Sequence, residues 1–129
     1  MTPQDTLILF VAFCFKHFIV DFPLQPKYMW ANKGTYGHLG GLLHAGLHGA
    51  STLLVLVSAY YLHVQVRWEM LLLAATVDAV VHYHVDWAKM NINRAKGWTA
   101  TTHPEFWNLV GLDQLLHYLT YVGVIYMCM

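Results

Sequence analysis

Apolar positions gather into four long stretches of the 129-residue chain, at about Thr6–Phe22, Gly41–Leu62, Trp68–Trp87 and Asn108–Met127. Each is close to the ~20 residues that carry a helix across about 30 Å of hydrocarbon. Within hydrocarbon a backbone must satisfy its own hydrogen bonds, so runs this long are expected to be helices. Pro23 and Pro26 close the first stretch. The pattern therefore predicts an all-α fold: a polytopic membrane four-helix bundle, with residues 1–129 as a single membrane domain. Loops one and three carry FPLQPKYMWANKG and GWTATTHPEFW. The first reads as a short segment lying along the headgroups, the second as a capped interfacial turn.

The polar interruptions of these stretches are not scattered. His17 and Asp21, His44 and His48, Asp78 and His82, His82 and Asp86, and Asp113 and His117 are each four residues apart. Random placement of the same His and Asp residues would give only about 1.5 such spacings. Residues i and i+4 share a helix face, so every predicted helix presents a vertical pair of polar groups. In an antiparallel bundle all of these pairs fall in the same half of the membrane. His84 is rotated about 200° from His82 and is expected to point away. Asp86 is expected to be peripheral to Asp78, because it nears the end of the third stretch. His38, His63 and His103 fall in loops.

Composition agrees with the membrane expectation. The chain is 57% hydrophobic and only 11% charged, against roughly 25% charged residues in a typical soluble domain. Net charge is zero, and no basic run suggests nucleic acid. Lys27 and Lys33 in loop one, with Lys89, Arg94 and Lys96 in loop three, put most of the basic residues on one side. Positive-inside logic places those loops in the cytoplasm and both termini outside. No basic n-region precedes the first apolar run, so a removed signal peptide is not expected. Cys14 and Cys128 have neither CxxC spacing nor a disulfide framework, and read as inert thiols.

Several carboxylates packed together in low dielectric need protons, imidazolium partners or a cation. A divalent metal meets that need directly. The candidate ligands are His17, Asp21, His44, His48, Asp78, His82, Asp113 and His117. Imidazole with carboxylate suits zinc first, with iron or manganese as alternatives. Metal-bound water would be the nucleophile of a hydrolase, with Asp78 or Asp113 as catalytic base. Lys27, Lys33 and Lys89 are candidate contacts for a phosphate-containing or lipid-linked substrate. Two other functions fit the same residues. One is an accessory membrane module that binds a partner protein or a second copy and uses metal as a staple. The other is a proton or metal carrier.

The motifs HFIVDFPLQ, HAGLH, DAVVH followed by VDWAK, and DQLLH occur here in that order. In this the chain resembles an uncharacterised family, domain of unknown function 3307, of small His/Asp-rich bacterial and phage membrane proteins. The resemblance spans essentially the whole chain, selects the same residues and implies a bacterial inner-membrane location. It implies no reaction.

Overall fold

The computed structural model describes residues 1–129 and is all-helical. Four long helices, α1 (Pro3–Asp21), α3 (Leu39–Tyr61), α4 (Leu71–Lys96) and α5 (Pro104–Met127), alternate in direction. A single helical turn, α2 (Lys27–Trp30), interrupts the first connection, and a 3-10 turn at Trp68–Met70 leads into α4. Packing runs from α1 to α3, from α3 to α4, from α4 to α5 and from α5 back to α1, closing a ring.

Local chemistry sets the helix ends. Thr2 and Asp5 form a reciprocal capping box at the start of α1, with Pro3 in the first turn. His38 caps α3 by accepting from the Gly40 N–H at 3.0 Å. Gly97, at φ 67°, takes the left-handed conformation that stops α4, and Pro104 opens α5. A Cβ on Gly40 would lie 2.4 Å from the Tyr28 carbonyl, so only glycine lets α2 sit against the start of α3.

The four apolar stretches thus mark the long helices, with shifted bounds. The third helix begins at Leu71 and continues to Lys96, well past Trp87. Hydropathy falls after Trp87, but nothing in AKMNINRAK breaks a helix before Gly97. The fourth begins at Pro104 rather than Asn108.

The interior divides along its length. Leu9, Phe13, Leu56, Ala74, Tyr121 and Val124 form an apolar core toward the end that carries both termini. There the Arg67 N–H donates to the Cys128 carbonyl at 2.9 Å, fastening the α3–α4 connection to the C-terminus. The opposite half of the interior is polar.

A buried histidine and aspartate centre

Each long helix supplies the polar half from its buried stripe. Along α1 that stripe is Leu9, Phe13, Lys16, His17 and Val20, with Asp21 at the helix end. Helix α3 gives His44 and His48, α4 gives Asp78, His82 and Asp86, and α5 gives Asp113 and His117. Gly49 lets α3 and α4 come close: a Cβ there would lie 3.0 Å from the Ala75 carbonyl oxygen and from the Ala79 Cβ.

Two groups of side chains have the geometry of a metal site. In the first, Asp21, His44, His48 and His82 bring one ligand atom each to within 4.8 Å of all the others. Oδ1 of Asp21 is 2.9 Å from His44 Nε2, 3.3 Å from His48 Nε2 and 3.7 Å from His82 Nε2. The two nitrogens of His44 and His82 are 3.0 Å apart. Zinc bonds of about 2.0 Å in a tetrahedron set neighbouring ligand atoms roughly 3.3 Å apart. The observed separations bracket that edge. The second group is His82, Asp86 and His117, so His82 belongs to both. The Nε2 of His117 is buried without a hydrogen-bond partner, 3.4 Å from Asp113 Oδ1 and 3.9 Å from Asp86 Oδ1. A buried nitrogen of that kind is costly to leave unmet, and a cation would meet it.

Around these groups lies a layer of lysines and hydroxyls. Lys16 donates to Asp78 Oδ2 at 2.6 Å and to the Tyr121 hydroxyl at 3.4 Å. His48 Nδ1 lies 3.1 Å from the same ammonium, while its Nε2 faces Asp21 at 3.3 Å. Thr52 completes the shell of Asp78 at 2.5 Å. His17 holds the other oxygen of Asp21, with Nε2 at 3.0 Å from Oδ2, while its Nδ1 meets Tyr121 at 2.8 Å. Such contacts fix a carboxylate ligand in one orientation. Lys33 lies 2.7 Å from Asp86 and 3.6 Å from Asp21, and Lys89 spans Asp86 at 3.2 Å and Asp113 at 2.9 Å.

A family model described as a protein of unknown function matches residues 9–129, a span that contains every residue of this centre. The chain belongs to that family, DUF3307. No curated protein and no solved structure matches it significantly.

Against this geometry the sequence-based site residues of the DUF3307 chain divide into three sets. Asp21, His44, His48 and His82 come together, with His117 in the second group. His17 and Asp113 are adjacent but belong to neither group; His17 orients Asp21, and Asp113 pairs with Lys89. Asp78 is a correction. Its carboxylate is taken up by Lys16 and Thr52, away from both groups. Asp86 is the matching correction: far from peripheral, it is buried among His44, His82 and Lys33. The 80° rotation between Asp78 and Asp86 still lies within a stripe of 100° or more, and α4 continues past Asp86 instead of ending there.

Of the three lysines, Lys33 and Lys89 form internal ion pairs, with 23% of the Lys89 side chain still exposed, while Lys27 is exposed on α2. His84 points outward as expected and meets the Tyr36 hydroxyl at 3.2 Å. Lys16 escaped the His/Asp pattern altogether. Its signal was its position, three residues after Phe13 and seven after Leu9 on the apolar stripe.

Proposed function

We propose that this DUF3307 protein is a membrane-embedded helical bundle that binds a divalent cation, zinc first, among Asp21, His44, His48 and His82. The observation that carries the reading is the convergence of one carboxylate and three imidazoles from three helices at ligand-atom spacing. Those imidazoles are at most 1% exposed. Iron and manganese are the alternatives that the same donor set admits.

Two features support the membrane. Helices α1 and α3 are long and apolar enough to cross one. Helices α4 and α5 do not reach that measure, and the residues that lower their hydropathy include Asp78, His82, Asp86, Asp113 and His117, which face inward. The outside of the bundle is apolar on every long helix: Leu7, Phe15, Leu54, Leu72 and Leu119 are each at least 55% exposed. Water-soluble monomers rarely present so much contiguous apolar surface. Lipid would cover it. The charge distribution of the loops orients the polar half toward the cytoplasm, with both termini outside.

Hydrolysis is the reaction class that the site favours. A bound divalent ion supplies an activated water and polarises a phosphoryl or carbonyl oxygen. Asp78 is committed to Lys16, which leaves Asp113 as the candidate base; its Oδ1 is buried without a hydrogen-bond partner. A cleft of about 260 Å³ beside Asp21, Lys33, Lys89, Asp113 and Gln114 gives reactants a way in.

A second reading is a metal staple in an accessory module, favoured by the near-complete burial of the histidines. A carrier is less well supported, since the apolar core fills the other half of the interior and offers no polar path. Elemental analysis of the purified protein tests the centre. Stripping the metal and following both melting temperature and phosphodiester hydrolysis separates enzyme from staple: loss of stability with no turnover at any metal loading would leave only the staple.

A further inference from the structure

The cleft beside Asp21 and Lys33 does not stand alone. Lys89 and Asp113 line it, and they also line a second cavity of about 440 Å³ on the outer surface between α4 and α5. The walls of that groove are aliphatic: Val81, Val85 and Ile92 from α4, and Leu109, Leu112 and Leu116 from α5. From Val81 to Ile92 it spans roughly 16 Å of helix, the scale of an acyl chain. Leu112 is half-exposed, so the groove opens outward, where lipid would lie in a membrane-embedded bundle.

Charge sets the other end of the ligand. Lys16, Lys33 and Lys89 face Asp21, Asp78, Asp86 and Asp113, so three positive groups meet four negative ones. With neutral imidazoles that leaves a net charge of minus one, and a divalent cation turns it into plus one. A residual charge in low dielectric is costly, and a monoanion removes it. Of the three lysines Lys89 is the most accessible, with 23% of its side chain exposed against 3% and 7% for the other two. It stands where cleft and groove meet.

We propose that the ligand of this centre is an amphiphile with a monoanionic phosphodiester headgroup, drawn from the surrounding bilayer. The chain lies in the α4–α5 groove, and the headgroup enters the cleft past Lys89. The inference rests on the metal-centre reading and adds the substrate class.

The test uses the full-length protein, loaded with zinc, in phosphatidylcholine bilayers. These are doped in one arm with phosphatidylglycerol carrying a diazirine on its acyl chain, and in the other with phosphatidylcholine carrying the same group. Crosslinks are mapped to peptides and zinc is measured in every sample. Phosphatidylglycerol should label the groove around Val85 and Leu112 roughly tenfold over α1 and α3, the effect of about one good interaction, and phosphatidylcholine should label all three evenly. Leu112→Trp, which fills the groove, should abolish the excess while zinc content stays unchanged. Ala88→Phe fills it from α4 and guards against a folding defect peculiar to one variant. Lys89→Met should remove the preference for the anionic lipid. Even labelling by both lipids in zinc-loaded protein overturns the amphiphile assignment alone. Protein that holds no zinc overturns the metal centre itself.

Discussion

The Lys16 ammonium lies 2.6 Å from Asp78 Oδ2, joining α1 to α4 inside the ring, with both side chains at most 3% exposed. Removing one partner of such a pair leaves an unmet charge. Lys16→Met should therefore cost about 3–5 kcal/mol, and Asp78→Leu in the same chain should recover part of that loss. Thermal unfolding in a neutral detergent checks it. A double variant no more stable than the single one would show that Lys16 acts through His48 or Tyr121 instead.

His82 is common to both candidate groups. Its replacement by Ala should lower bound zinc by more than the ~10–100-fold typical of losing an outer-shell partner. His84→Ala, on the outward face of the same helix, should leave zinc content unchanged. Elemental analysis of the folded fraction measures both, and equal losses would count against the centre.

The two α4 carboxylates should behave differently. Asp86→Asn should weaken metal affinity roughly 10–100-fold with a modest change in melting temperature. Asp78→Asn should lower the melting temperature, with metal per folded molecule close to the parent. Paired calorimetric and metal titrations distinguish these outcomes, and a reversed order would restore Asp78 as a ligand.

Close approach of α3 and α4 depends on Gly49. Gly49→Val would press a branched side chain on Ala75 and Ala79, already 3.0 Å from a Cβ. A loss of about 1–3 kcal/mol is expected, visible as a lower melting temperature.

Sidedness can be read with an impermeant maleimide on intact cells, after Cys14 and Cys128 are replaced by Ser. A cysteine at Tyr61 should label and one at Thr101 should not. The reverse pattern would invert the orientation and put the polar half of the bundle on the outer side.

The i, i+4 pairs made much of this centre legible, because a helix converts that spacing into a shared face whatever its neighbours do. What they left open was which helix faces which. Asp78 and Asp86 look alike along α4, and only the position of Lys16 on α1 and Lys33 before α3 decides that the former is an ion-pair partner and the latter part of the cluster. Lys16 itself sits in FCFKHF, where a cation beside a histidine carries no spacing signature. The end of α4 was hidden for a related reason: hydropathy marks where lipid would stop, whereas the helix stops where Gly97 permits a left-handed turn.

The tie between Lys16 and Asp78 also bears on how the chain is made. Sixty-two residues separate them. At about 5–20 residues per second of synthesis, the carboxylate of that pair emerges several seconds after the lysine. A nascent α1–α3 hairpin can join Asp21 to His44 and His48, but its two buried ammonium groups, Lys16 and Lys33, have only that same Asp21 to meet. The first half of the chain would thus stand one carboxylate short, and the arrival of α4 with Asp78 and Asp86 would supply the missing partners and lock the order of assembly.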